Sequence, residues 1–256
     1  MFSETYVVIS MIRIQNLKKC YGTKEALKGI SFEIRRGEVL ALLGHNGAGK
    51  TTTLRVIATL SDPTEGSVEH PQDFKSMLGF LPDEPFLFDY LTGREMLHFM
   101  ASLYRIPRAE VPLRAQHYLE LFELARQADQ LINTYSRGMR RKISLIGSLL
   151  HDPVYWLLDE PTESLDPVAI KNLKDLIASR KADNRAILIS THQLALAEAI
   201  CDRLIILNQG SIVFEGPVSN LDAPLEVLYL TVSSKSIADC GLKKPKWQSE
   251  IRNSQS

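Results

Sequence analysis

No apolar run in the chain exceeds about six residues, whereas a membrane-crossing helix needs roughly 20. Any work at a membrane therefore has to pass through a partner chain. Residues 5–12 are apolar but have neither a basic leader nor a small-residue cleavage site, so they do not read as a secretion signal. Met11 offers an alternative start, with residues 1–10 as an upstream extension. Net charge is also missing: 30 basic residues balance 30 acidic ones. That balance gives no broad basic surface, and no nucleic-acid partner is expected. Cysteine is scarce. Cys20, Cys201 and Cys240 are odd in number, far apart, and match no disulfide framework or metal spacing, which points to a reducing, cytosolic setting. No internal repeat divides the 256 residues, so they form one large α/β domain, or such a domain with an insertion, and can bury a full core.

One stretch organises what is present. Val39-Leu40-Ala41-Leu42-Leu43 reads as a buried strand, Gly44-His45-Asn46-Gly47-Ala48-Gly49-Lys50-Thr51-Thr52 as a glycine-rich turn, and Thr53–Ala58 as a helix. Strand, G-x-x-x-x-G-K-T and helix together form a phosphate-binding loop in the setting it requires. Gly44, Gly47 and Gly49 allow the backbone to curl so that successive N–H groups, with those of His45, Asn46 and Ala48, face an anion. The N-terminus of the helix adds to that field. Lys50 is suited to the β- and γ-phosphates of ATP, Thr52 to the phosphates beside it, and the Thr51 hydroxyl to Mg2+.

Ahead of this loop, Ile12–Gln15 and Ile30–Ile34 alternate as strands around a turn at Tyr21-Gly22-Thr23, and predict a small antiparallel sheet. Asp62–Gly66 is a turn cluster, and Leu78–Leu81 a short strand stopped by Pro82. From about 90 to 150 the period becomes helical, with three sets: Met96, Leu97, Met100, Ala101 and Tyr104; Leu113, His117, Leu121 and Leu124; Met139, Ile143, Ile146 and Leu150. About sixty such residues between strands of one sheet predict an inserted helical subdomain, set at 84–150. Strands follow at 154–158 and 186–190, with helices near 167–180 and 193–201. A hairpin turns at Asn208-Gln209-Gly210. The nucleotide-binding domain is expected to span 1–230, and 231–256 to form a poorly ordered tail.

Ligands in parallel α/β sheets lie beyond the carboxyl ends of the strands. Asp159 and Glu160 end one strand and His192 follows the next, so both reach the edge that carries the phosphate loop. Asp159 is placed to share Mg2+ with Thr51. Glu160 can orient or deprotonate a water attacking the γ-phosphate, and His192 can hold phosphate and water.

Gly44–Thr52, Tyr135-Ser136-Arg137-Gly138-Met139, Leu157–Pro161, Ser164-Leu165-Asp166 and Thr191-His192 stand in the order and spacing of the ABC-transporter ATP-binding cassette. The chain resembles that family over roughly residues 12–225. The resemblance implies a P-loop NTPase core with a mainly parallel sheet, an N-terminal antiparallel β subdomain and an inserted α-helical subdomain. It makes Tyr21 the aromatic that stacks on adenine, Glu160 the catalytic carboxylate, His192 the switch histidine and Asp166 part of the loop coupling two sites. Ser136, Arg137, Gly138 and Met139 become the signature, which contacts ATP held by a second subunit. Two copies, or one copy and a related chain, would then pair head to tail.

Three positions depart from the family pattern. Arg137 and Met139 stand where the signature has glycine and glutamine, and Asp83 stands where the glutamine that senses γ-phosphate is usual. Asp83 can still reach Mg2+ or the attacking water. Leu81–Pro85 and Leu91–Glu95 are similar to the subgroup serving ABC-2-type exporters. The implied protein is an ATPase subunit on the cytoplasmic face of a membrane, working a separate transmembrane permease. The competing expectation is a soluble cassette of a non-transport complex, such as an iron–sulfur assembly scaffold. A small-molecule kinase would leave the signature helix unexplained.

Overall fold

The computed structural model describes residues 11–221 and 223–234. In chain order the elements are β1 (Ile12–Tyr21), β2 (Lys24–Ile34), β3 (Val39–Leu43), α1 (Lys50–Ile57), β4 (Glu65–Glu69), α2 (Phe74–Met77), β5 (Leu78–Leu81), α3 (Gly93–Leu103), α4 (Val111–Leu121), α5 (Arg137–Gly147), β6 (Tyr155–Asp159), α6 (Pro167–Ala182), β7 (Ala186–Thr191), α7 (Leu194–Ile200), β8 (Arg203–Asn208), β9 (Ser211–Pro217) and α8 (Leu225–Ser234). None of these helices is long and apolar enough to cross a membrane.

Two sheets carry the fold. The larger runs β5-β6-β7-β3-β8-β9, parallel except for β9, and the smaller is antiparallel, β2-β1-β4. The apolar runs of β3, β6 and β7 belong to strands covered on both faces. On β3, Val39, Ala41 and Leu43 belong to the core shared with the helices α3 to α8, with α7 directly against the strand, while Leu40 and Leu42 belong to the core shared with α1 and the small sheet. Trp156 of β6 is fully buried, and its indole N–H donates to Ser148 Oγ at 3.0 Å, just past α5. That bond satisfies the ring's polar end and ties the helical layer to the sheet.

The helices start where the sequence supplies caps. Thr92 and Glu95 form a reciprocal capping box at the head of α3, with Thr92 N donating to Glu95 Oε2 at 2.8 Å and Glu95 N to Thr92 Oγ1 at 3.2 Å; such a cap contributes about 1 kcal/mol. Ser136 caps α5, accepting from Met139 N at 3.2 Å.

Two expectations need correction, and two short elements were not expected. The buried face of α4 is Val111, Ala115, Tyr118 and Leu119, continuing to Phe122, not the stripe through Leu113 and His117. Leu113 is 79% exposed, because the aromatic pair Tyr118 and Phe122 sets the helix's rotation by its larger apolar area. The turn cluster at 62–66 ends in β4, a mostly polar strand whose one apolar residue, Val68, is half-buried, held by pairing with β1 and a Lys18–Glu65 ion pair at 2.6 Å. It has no apolar alternation to announce it. Short α2 is likewise unmarked. Finally, α8 runs through Ser234, four residues into the stretch expected to be a loose tail, with Leu225 and Val232 buried. The remainder of that tail, Cys240 and residues 1–10 lie outside the described residues.

Candidate active site

β3 lies beside β7, and β7 beside β6, so the sheet alone brings three carboxyl ends together. The first carries residues 44–52. Gly47 and Gly49 have φ of 84° and 111°, left-handed backbone that a side chain would strain. Gly44 is required for a different reason: its φ is ordinary, but a Cβ there would stand 2.6 Å from the Leu207 carbonyl oxygen. Lys50 opens α1 and is buried; its Nζ donates to Gly44 O at 2.7 Å and faces Glu160 Oε1 at 3.2 Å. His45 and Asn46 are exposed at the tip of the loop, while Ala48 is buried beneath it.

The second end holds Asp159 and Glu160. Asp159 is fully buried. Burial pushes its carboxyl above the usual range, against hydroxyl bonds donated by Ser190 and Thr51 that favour the anion. Its Oδ2 has no hydrogen-bond partner among the described residues. An orphaned buried carboxylate oxygen next to the Thr51 hydroxyl suits a hard divalent cation, so the residues present fit Mg2+.

Glu160 is a non-glycine residue with φ of 46°, a conformation that costs roughly 1–2 kcal/mol. Its N–H donates to Ser190 O at 3.0 Å. Its side chain lies between two partners: Oε1 faces Lys50, and Oε2 lies 3.0 Å from Nδ1 of His192, which follows β7. Glu163 completes a cluster with Glu160 and His192, one ligand-capable atom of each lying within 4.8 Å of the others.

The other expected residues stand around this centre. Asp83 is exposed just past β5, and its charge is among those that raise the Asp159 carboxyl. Tyr21 is half-exposed at the end of β1, with Lys19 Nζ 5.1 Å from its ring centre. The adjoining β2 lays Ala26 and Leu27 against Gly49. Ser136, Arg137, Gly138 and Met139 are not brought to the phosphate loop. Arg137 reaches Glu163 at 3.5 Å, and Gly138 packs where a Cβ would meet Ser164 O at 2.6 Å. Asp166 caps α6, accepting from Ala169 N at 2.8 Å, and its Oδ2 pairs with Lys142 Nζ at 2.6 Å. That hydrogen bond with Lys142 is the main cause holding the Asp166 carboxyl below its usual range.

Sequence reasoning missed Arg141, Lys142, Glu163 and Ser190. One signal was available: Lys142 lies on the Met139–Ile143–Ile146 stripe, and a cation on an apolar stripe marks a buried charge with a partner to find.

The family model described as ABC transporter matches residues 27–163. The chain belongs to the ABC transporter family. The cassette is an ATP-binding, ATP-hydrolysing subunit of that family. It is 33% identical to the SkfA peptide export ATP-binding protein SkfE of Bacillus subtilis (strain 168), over 80% of this chain and 88% of the relative. A solved ATP-binding subunit of an ABC transporter superposes with a TM-score of 0.82 at 30% identity, covering 88% of the cassette and all of that chain. A dimeric post-hydrolysis structure of the ATP-binding cassette MJ0796, bound to ADP and Pi, gives 0.74 at 26% identity, over 82% and 100%.

Proposed function

We propose that two cassettes, both this chain or one a related chain, enclose ATP head to tail and use its hydrolysis to drive a separate transmembrane permease, in the export direction. The observation that carries the reading is the convergence of Lys50, Thr51, Asp159, Glu160 and His192 on one sheet edge. The same-chain signature is turned to the Ser164–Asp166 loop instead. Ser136 and Gly138 are then left for the γ-phosphate of ATP on the opposite subunit, with Arg137 and Met139 beside them. The pairing of MJ0796 supports this arrangement.

Within one site, Lys50 leaves Glu160 and Gly44 O for the β- and γ-phosphates. The backbone N–H groups of 44–52 surround the triphosphate, and Tyr21 stacks on adenine. Thr51 and Asp159 would hold Mg2+, with Asp83 as a further candidate ligand. When bound, that ion neutralises charge on the phosphate oxygens. Glu160, freed from Lys50, accepts a hydrogen bond from the attacking water, and His192 fixes the Glu160 carboxylate and the γ-phosphate.

Residues 84–150 act as the mobile helical part of the domain. Their outer face shows Phe86 and Tyr90, each 87% exposed, beside the Phe88–Phe99 edge contact at 5.2 Å. Exposed aromatics of this size mark a docking surface, and the permease is the partner that fits, placing the cassette on the cytoplasmic face of the membrane. The peptide-export relative supports export, and the family disfavours the iron–sulfur scaffold reading. Affinity purification of the tagged full-length chain from detergent-solubilised membranes tests this. A co-purifying protein with several hydrophobic spans is expected; recovery only in a soluble complex would contradict it.

A further inference from the structure

One cation of α5 has no part in the reaction just described. Arg141 is only 2% exposed, yet its hydrogen bonds go entirely to backbone carbonyls: Nη1 to Pro82 and to Asp83 (2.6 Å), Nη2 to Asp159 and to Glu160 (2.7 Å). Its Nε has no partner among the described residues. Those four oxygens sit at the carboxyl ends of β5 and β6, which are neighbours in the sheet. The rigid planar fork of a guanidinium can hold two such strand ends at once, which a lysine ammonium on a flexible stem does not reproduce.

Two further facts say what the fork is for. Glu160 is the left-handed residue of this turn, and both of the carbonyls that Arg141 Nη2 grips belong to it and to the residue before it. A conformation of that kind persists where its surroundings over-determine it; Ser190 on one side and Arg141 on the other do so. Burial works against the Arg141 charge, and the carboxylates that favour it are those of Asp83, the residue whose carbonyl Nη1 binds, and of Asp159, Glu163 and Glu160. Asp83 adds a negative charge where the family pattern has a neutral glutamine, close to an already buried Asp159.

We propose that Arg141 is a positioning residue: its fork fixes the Glu160 turn so that the carboxylate meets water, and its charge offsets Asp83 at the same place. The proposal rests on the ATPase reading of Glu160. It also gives α5 a physical link: Arg141, about one helical turn past the signature at the helix N-terminus, holds Glu160 of the same chain. A shift of Ser136 against the opposite subunit's nucleotide moves the residue that holds Glu160.

The test is steady-state hydrolysis of MgATP by the full-length chain, with ATP binding and thermal unfolding measured alongside. Arg141→Lys keeps the charge and loses the fork; kcat is expected to fall about tenfold or more, with KM for ATP within about twofold of wild type. In Arg141→Gln the uncompensated Asp83 adds to the loss, so Asp83→Asn in that background is expected to restore activity by about threefold, a coupling that independent sites do not show. Should Arg141→Gln not fold, the kcat-against-KM split of Arg141→Lys decides the positioning claim. Unchanged kcat in Arg141→Lys, a loss confined to KM, or Asp83 and Arg141 effects that simply multiply would overturn it. Glu160→Gln separates the two readings: if it is inactive while Arg141→Lys turns over normally, only the Arg141 proposal fails.

Discussion

Lys50 and Glu160, the cation proposed for the phosphates and the carboxylate proposed for the water, lie 3.2 Å apart in a buried ion pair. In the proposed mechanism a triphosphate draws Lys50 out of this pair, and a neutral amide at 160 removes Lys50's competing anion. Glu160→Gln is therefore expected to bind ATP about fivefold more tightly than wild type, equivalent to roughly 1 kcal/mol. Titration with a fluorescent ATP analogue checks this; unchanged or weaker binding would show that the pair does not oppose the nucleotide.

A second prediction concerns the joint between the helical layer and β5. His151 Nε2 donates to Leu78 O at 2.9 Å, its ring stacks on Tyr104 at 3.6 Å, and the Tyr104 hydroxyl donates to the same carbonyl. Burial pushes the His151 imidazole down to about 4, against about 6.5 in an unfolded chain. Between these values the unfolded chain carries a proton that the folded one excludes, so stability is lost as pH falls from about 6.5 toward 4. Urea unfolding across that range should show a steeper acid loss for wild type than for His151→Phe, which keeps the stacked ring and cannot titrate. Parallel pH profiles would refute the assignment.

Pairing of two cassettes gives a third. The Gly138 α-carbon faces Ser164 O so closely that a methyl would stand 2.6 Å away, and that oxygen is backbone, not a flexible side-chain end. Gly138→Ala has to push the head of α5 off the Ser164–Asp166 loop and displace Ser136. Placed in a Glu160→Gln chain, it is expected to leave ATP binding by the monomer intact and to abolish ATP-dependent pairing in sedimentation velocity. Equal pairing with and without the substitution would remove the signature from the interface.

Much of the centre was readable from residue order, because a parallel sheet converts strand ends into a common edge whatever lies between them. The common edge of Gly44–Thr52, Asp159, Glu160 and His192 needed only that rule; the loop itself was legible in its G-x-x-x-x-G-K-T pattern. Side-chain partners were harder to read. Arg141 binds carbonyls, which every residue has, so no complementary residue type advertises it. Leu113 looked like core because its spacing fits a helix, yet Tyr118 and Phe122 outweighed it. The polar strand β4 exists through pairing with β1 and leaves no apolar pattern behind.

Glu160 is proposed as the carboxylate that acts on water at the Lys50 site, and steady-state MgATP hydrolysis by full-length Glu160→Gln, with nucleotide occupancy measured in the same samples, tests that role. Turnover about a hundredfold or more below wild type with full occupancy is the expected result. Wild-type turnover by an ATP-saturated Glu160→Gln chain would contradict it.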